Sequence, residues 1–180
     1  MGWLRKISRW VRNKQPMTSI DAGHTAPDFS LKTADGRDFS LENLCARGPV
    51  VLAFFKISCP VCQFTFPFLE RLHQKYAGDG VLILGVSQND ARGTQTFCKD
   101  YGLTFPVVLD ESSYPVSNAY GIHCVPTVFL IEAGRSVKVS CMGFSKQDLE
   151  TIAASLAARR KIPSAPLFLP NEVIPALKPG

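Results

Sequence analysis

Apolar stretches of strand length alternate with amphipathic stretches along most of the chain. Residues 50–55 and 81–86 form continuous apolar runs, which are typical of strands buried on both faces of a sheet. Apolar residues recur at helical spacing over 60–76, 92–101 and 145–160. In the first of these helices we expect a buried stripe of Phe64, Phe68, Leu69 and Leu72. A protein of the α/β class is therefore predicted.

Shorter patterns complete this prediction. Residues 26–32 and 38–41 alternate apolar with polar side chains on either side of Asp35-Gly36, a pair that favours a β-hairpin turn. The remaining predicted elements are single helical turns at 42–47 and 114–120 and strands at 106–109, 127–131 and 136–142. Strands that alternate with helices indicate a largely parallel sheet, whereas the last two strands, joined by a short turn, are antiparallel. A central mixed sheet is therefore expected.

The chain divides into three parts. Residues 1–25 are a basic leader, residues 26–160 carry the α/β pattern, and residues 161–180 form a proline-rich apolar tail. The tail holds five of the 13 prolines, with large apolar side chains between them. This composition is not helical, and it is too apolar for a free linker. We expect the tail to lie extended against the domain or against a partner chain.

The formal net charge of +5 comes from one end of the chain. Residues 1–16 hold five basic residues and no acidic one, which leaves 15 basic and 15 acidic residues in the remainder. The body therefore lacks the basic surface that nucleic-acid binding requires. The apolar residues of 3–12 lie on one helical face, opposite the basic ones, as in helices at a membrane surface. Weak membrane contact there is one interpretation; a leader without such contact, or translation from Met17, is the other.

Three observations favour a cytoplasmic protein. No apolar run reaches the roughly 20 residues of a membrane span. Residues 1–16 lack the apolar core of a signal peptide. Six cysteines in a chain of 180 residues are too few for a disulfide scaffold. We therefore expect a cytoplasmic location, with the cysteines outside the active site in the reduced form.

The candidate chemistry lies where the apolar run 50–55 meets the first long helix. Cys59 occupies the position of a helix N-cap, and Pro60 follows at the first helical position, where no backbone N–H is needed. The unpaired N–H groups of Val61 and Cys62, together with the helix dipole, favour a negatively charged sulfur. Thiols at such positions have pKa values lowered from about 8.5 to about 3.5–7.5. Cys62 lies one turn behind and is able to close a disulfide, so the arrangement predicts a thiol–disulfide exchanger.

Two other kinds of site use a pair of cysteines at this spacing. A zinc site needs a second ligand pair, but the other cysteines stand singly and no two histidines have ligand spacing. These residues are Cys45, Cys98, Cys124, Cys141, His24, His73 and His123. A structural disulfide without chemistry is the second alternative. The sequence context, a strand followed by Cys-Pro-x-Cys and a helix, favours a redox site over both.

Several motifs together resemble one known family. They are Ala-Pro-Asp-Phe at 26–29, the Cys-Pro-Val-Cys pair, Pro67 within the helix, and Val-Pro-Thr-Val-Phe-Leu-Ile at 125–131. The chain resembles the thioredoxin fold and, more narrowly, the redoxin superfamily of TlpA-like thiol–disulfide oxidoreductases and AhpC/TSA-like peroxiredoxins. The resemblance covers residues 26–160. It implies a three-layer thioredoxin-like fold with an N-terminal hairpin extension, and the extended tail lies outside it.

The resemblance also implies roles for individual residues. In the family the first cysteine is the exposed nucleophile and the second resolves the mixed disulfide, which assigns these roles to Cys59 and Cys62. The proline of Val-Pro-Thr is cis and packs beside the cysteines, which implies a cis bond before Pro126. Val125 and Thr127 then flank the substrate groove. The residues alone favour an ordinary trans proline, because only about 5–6% of X–Pro bonds are cis.

Three positions depart from the family pattern. Ser58 replaces the Trp that usually precedes the nucleophile. Ala53 stands where thioredoxins carry an interior acid, and Thr65 stands where TlpA-like proteins carry one. The proton acceptor for the second cysteine is therefore sought in Lys56 and His123, the nearest candidates along the sequence. The alternative for both is a solvated surface side chain.

Three functions follow from these motifs. The leading prediction is an oxidoreductase that acts on protein dithiols and disulfides, with no cofactor besides the Cys59–Cys62 disulfide. The first alternative is a peroxiredoxin-type peroxidase, in which Cys59 is oxidised to a sulfenic acid. Peroxiredoxins use Pro-x3-Thr/Ser-x2-Cys and an Arg facing the cysteine, whereas Lys56 stands at the hydroxyl position and Val125-Pro126 in the Arg region. The second alternative is a non-enzymatic binding module in which the cysteine pair is a staple.

Overall fold

The computed structural model describes residues 19–78 and 80–180. The strands are β1 (Ser30–Lys32), β2 (Asp38–Ser40), β3 (Val50–Phe55), β4 (Leu82–Ser87), β5 (Val107–Leu109), β6 (Thr127–Ile131), β7 (Val137–Met142), β8 (Phe144–Ser145) and β9 (Leu177–Lys178). The helices are α1 (Leu41–Cys45), α2 (Pro60–Tyr76), α3 (Ala91–Asp100), α4 (Pro115–Ala119) and α5 (Lys146–Arg160). The amphipathic segment 3–12 lies outside the described residues, so its membrane contact stays a prediction.

The central sheet has the strand order β5-β4-β3-β6-β7. β3, β4 and β5 are parallel, whereas β6 is antiparallel to β3 and β7 is antiparallel to β6. The predicted α/β class with a mixed sheet is confirmed. Fewer strands are parallel than the alternation of strands and helices predicted. The reason is that the chain enters β6 at the carboxyl end of β3 and runs back antiparallel to it. That end of β3 therefore lies beside the start of β6.

Neighbouring residues of β3 point to opposite faces of the sheet, and each face has its own core layer. Phe55 packs toward α2 and α3, with its ring centroid 4.3 Å from Phe66 and 5.1 Å from Phe97. α5 covers the same face. Phe54 packs on the opposite face, 5.1 Å from Tyr120, in a layer that includes residues of α1 and α4. The sheet is thus the middle of three layers.

Helix α2 buries a wider arc than its sequence pattern indicated. Of the predicted stripe, Phe68, Leu69 and Leu72 are buried, whereas Phe64 is half-buried. Phe66, outside the predicted stripe, is fully buried. The reason is tertiary: Phe66 faces not only the sheet but also the rings that α3 and the following loop bring to the flank of α2.

The tail packs against the body of the protein. Leu167 and Phe168 are buried, and Glu172 forms an ion pair with Arg71 of α2, in which Nη1 lies 2.8 Å from Oε2. β9 pairs antiparallel with β8. Other apolar side chains of the tail, including Val173, are exposed. Among the described residues, no helix has the length and apolar character that crossing a membrane demands.

Candidate active site

The loop between β3 and α2 is held at the carboxyl edge of the sheet. The Ile57 N–H donates to Asn89 Oδ1 at 3.0 Å, and Gln63 Nε2 donates to the Ile57 carbonyl at 2.9 Å. The Cys59 N–H donates to the Lys56 carbonyl at 3.2 Å. These bonds tie the loop to the end of β4 on one side and to the first turns of α2 on the other. The position of Cys59 is therefore fixed from both directions.

Cys59 caps the N-terminus of α2. Its backbone is extended, with φ −82° and ψ 117°, and its Sγ accepts a hydrogen bond from the Cys62 N–H at 3.3 Å. The thiol also donates to the Val125 carbonyl at 3.2 Å. Cys59 is half-buried and Pro60 is exposed at the first helical position. The sulfur thus pairs with an N–H that has no partner within the helix, which stabilises negative charge, while Cys59 is partly open to solvent.

Cys62 lies behind Cys59 and is fully buried. Burial raises the pKa of the Cys62 thiol far above its ordinary value, and the hydrogen bond with Cys59 adds to the rise. The backbone N–H of Lys56 acts in the opposite direction by favouring the thiolate. Both cysteines are free thiols here. The pair therefore combines an accessible sulfur with a shielded one.

Neither family position for an acid supplies a proton acceptor to Cys62. Ala53 is buried within β3. Thr65 is also fully buried, and its hydroxyl donates to the Val61 carbonyl at 2.7 Å. A hydroxyl that already donates to the backbone of its own helix does not act as a base at neutral pH. The two positions at which relatives carry an acid therefore offer no base for the Cys62 proton.

The loop beside Cys59 contains a cis peptide bond between Val125 and Pro126, as the resemblance implies. Val125 is half-buried, and its carbonyl faces the Cys59 thiol. The Thr127 side chain is only 1% exposed and donates to the Cys124 carbonyl at 2.9 Å. Thr127 therefore supports the loop from beneath, and its place beside the substrate groove stays a prediction.

Lys56 and His123 are both exposed. The Lys56 ammonium lies over the ring of Tyr114, 5.7 Å from its centroid. The His123 ring points to its own loop, with Nδ1 3.1 Å from the Gly121 carbonyl oxygen. The backbone of Lys56 therefore lies beside Cys62, whereas the side chains of Lys56 and His123 contact other groups. Their role as proton acceptors stays a prediction.

Asn89 and Gln63 hold the active-site loop, and neither was predicted from the sequence. A signal for Asn89 exists: it follows β4, which is the parallel neighbour of β3, and the carboxyl ends of parallel neighbours share one edge of the sheet. For Gln63 no pattern distinguishes it from an exposed helical residue. Within residues 19–78 and 80–180, no three His, Cys, Asp or Glu side chains form a group able to hold a metal ion.

Comparisons with known proteins agree with this geometry. The model of the AhpC/TSA family matches residues 22–140. The thiol-disulfide oxidoreductase ResA of Geobacillus thermodenitrificans is 36% identical over 135 residues, which cover 74% of this chain and 76% of that protein.

Two solved structures from Chlorobium tepidum have the same fold. One, described as a candidate thiol:disulfide interchange protein DsbE, is 27% identical with a TM-score of 0.69, over 78% of this chain and 98% of that chain. The other, a thiol:disulfide interchange protein of the thioredoxin family, is 26% identical with a TM-score of 0.63, over 77% and 98%. The predicted thioredoxin-like fold is confirmed.

Proposed function

Because the chain belongs to the AhpC/TSA family and is an oxidoreductase acting on sulfur groups, we propose that it exchanges electrons with protein dithiols and disulfides through Cys59 and Cys62. The names of its relatives, thiol-disulfide oxidoreductase ResA and thiol:disulfide interchange protein, support this class of reaction. One observation carries the assignment to the pair. The half-buried Cys59 sulfur accepts the N–H of Cys62 at the start of α2, with the buried thiol of Cys62 directly behind it.

The chemistry consists of two exchanges. The Cys59 thiolate attacks one sulfur of a partner disulfide, so that a mixed disulfide forms and the other partner sulfur leaves as a thiolate. Cys62 then loses its proton and attacks Cys59 Sγ. The bond between Cys59 and the partner breaks, the partner leaves with both sulfurs reduced, and the enzyme retains a Cys59–Cys62 disulfide. The same steps in reverse oxidise a partner dithiol.

The surrounding residues contribute by position. The N–H groups at the start of α2 stabilise the Cys59 thiolate, both before attack and as a leaving group. The Val125 carbonyl accepts from the Cys59 thiol, and a cis peptide bond follows it, between Val125 and Pro126. The Cys59–Cys62 disulfide is itself the electron carrier in this proposal, and no other cofactor takes part. The cytoplasmic location stays a prediction.

Variants of the two cysteines test the proposal. Cys59→Ser is expected to abolish reduction of a protein disulfide such as that of insulin. Cys62→Ser is expected instead to accumulate a mixed disulfide with the substrate, detected by mass spectrometry, because attack persists and resolution is lost. The matched control is Cys98→Ser, the same change at a half-buried cysteine of α3, which is expected to retain activity.

Three outcomes would contradict the proposal. Faster alkylation of Cys62 than of Cys59 by iodoacetamide would reverse the assigned roles. Rapid consumption of hydrogen peroxide without insulin reduction would identify a peroxidase. A pair that neither reacts rapidly with a thiol reagent near neutral pH nor turns over would be a structural staple, as in the binding-module alternative.

A further inference from the structure

The tail approaches the redox pair along α2. Phe168 lies against Phe68 near the middle of the helix, with a ring-centroid distance of 4.9 Å. Farther along the tail, Lys178 lies over Phe64 in the first turns of the helix, with Nζ 5.0 Å from the ring centroid. The tail therefore runs toward the end of α2 that carries Cys59. The family match, at residues 22–140, does not include this segment.

Residues 177–180, which we term the tail tip, contact the loop that borders Cys59. A side chain at Gly143, the residue before β8, would collide with the Lys178 carbonyl, so the backbones of Gly143 and Lys178 are closely packed. A Cβ atom at Gly180 would lie 2.8 Å from the Val125 carbonyl oxygen. The same oxygen accepts the hydrogen bond of the Cys59 thiol at 3.2 Å. A single carbonyl group therefore separates the tail tip from the reacting sulfur.

The tail tip is held more weakly than the part of the tail that contains Leu167, Phe168 and Glu172. Leu177 is 62% exposed, and β9 contributes only two residues to its pairing with β8. Leu167 and Phe168, in contrast, are buried, and Glu172 is anchored to Arg71. Segments with few buried apolar contacts open at a lower free energy than packed ones. The tip is thus able to leave Val125 while the remainder of the tail stays in place.

We propose that the tail tip selects the substrates of Cys59 by size, an inference that rests on the proposed disulfide exchange. A folded partner brings peptide chain on both sides of its cysteine, and an extended chain needs about 4.8 Å beside its neighbour. On the Val125 side of Cys59 this space is occupied by Gly180. A small organic disulfide needs access to the sulfur alone. The seated tip therefore admits small disulfides, and protein disulfides react after the tip has moved.

Single-turnover kinetics on the full-length protein test this proposal. The reduced protein is mixed with hydroxyethyl disulfide or with insulin, and the second-order rate constant of attack is measured for each. Gly180→Val and Lys178→Pro both weaken the contact between the tail tip and its neighbours. The first does so by collision with Val125, and the second by removing a backbone N–H and the cation over Phe64. The control is Val173→Ala, at a side chain of the same tail that is 98% exposed.

A tip that is seated about 90% of the time would leave about a tenth of the molecules competent toward insulin, so that freeing it would raise this rate about tenfold. The rate with hydroxyethyl disulfide is expected to stay within about twofold. The proposal would be overturned if both variants kept the wild-type ratio of the rate with insulin to the rate with hydroxyethyl disulfide, whether the two rates stayed the same or changed equally. Failure of the wild-type protein to react with either disulfide would instead refute the proposed function.

Discussion

Replacing Phe168 by alanine is expected to destabilise the whole protein, although the residue lies in a tail beyond the last helix. Phe168 is 6% exposed, and its ring lies 4.9 Å from that of Phe68 and 5.9 Å from that of Phe144. Large-to-small changes of this kind in a core cost about 3–5 kcal/mol. Complete release of the tail sets an upper limit on this loss of stability. It would expose Leu167 and Phe168 together, and the burial of each is worth about 1.5–3 kcal/mol. The two estimates overlap, and we expect a loss of about 3–5 kcal/mol.

Urea denaturation followed by circular dichroism measures this loss, and the thermal midpoint is expected to fall by about 2–4 °C per kcal/mol. The control is Val173→Ala, which removes an apolar side chain that is 98% exposed in the same tail. Its free energy of unfolding is expected to change by no more than about 0.5 kcal/mol. A Phe168→Ala protein as stable as the control would show that the tail contributes nothing to the folded state, and the packing argument would be wrong.

Three further predictions concern protonation. Because burial raises the Cys62 pKa, resolution of a labelled mixed disulfide should accelerate about tenfold per pH unit from pH 6 to 9 in single-turnover experiments, and a flat profile would reveal another base. Burial alone would raise the pKa of Glu70, but hydrogen bonds from Thr104 outweigh it and lower the pKa. Glu70 therefore stabilises the folded state at pH values above the pKa that it has in the unfolded chain, and this contribution is lost as the pH falls through its lower pKa in the folded state. The free energy of unfolding of Glu70→Gln, measured in urea, should vary less with acid pH than that of the wild type. Burial raises the pKa of Cys45 to about 11 and of Cys141 to about 12, so the folded state keeps protons that the unfolded state loses above about pH 9. The free energy of unfolding should then fall by about 1.4 kcal/mol per pH unit for each thiol, and alanine at either position should reduce that slope.

The sequence by itself determined the main strands and helices and singled out the candidate cysteine pair. Strand and helix periodicities, and the Cys-Pro-x-Cys motif at their junction, are properties of neighbouring residues. The N-cap position of Cys59 follows from such local order, since a strand that runs into Pro60 and a helical pattern leaves the cysteine at the first turn. The antiparallel β6–β7 pair was predictable for the same reason, because a short turn joins the two strands.

Only the tertiary structure decided what surrounds the pair. The carbonyl that accepts from the Cys59 thiol belongs to Val125, and the amide that holds the loop belongs to Asn89, each far from the cysteine along the chain. The burial of Phe66 and the contact between the tail and α2 depend in the same way on elements brought together by folding. Composition predicted that the apolar tail needed cover but did not identify which surface supplies it. Contacts between distant segments depend on the shape and charge of both partners, and a local pattern records only one of them.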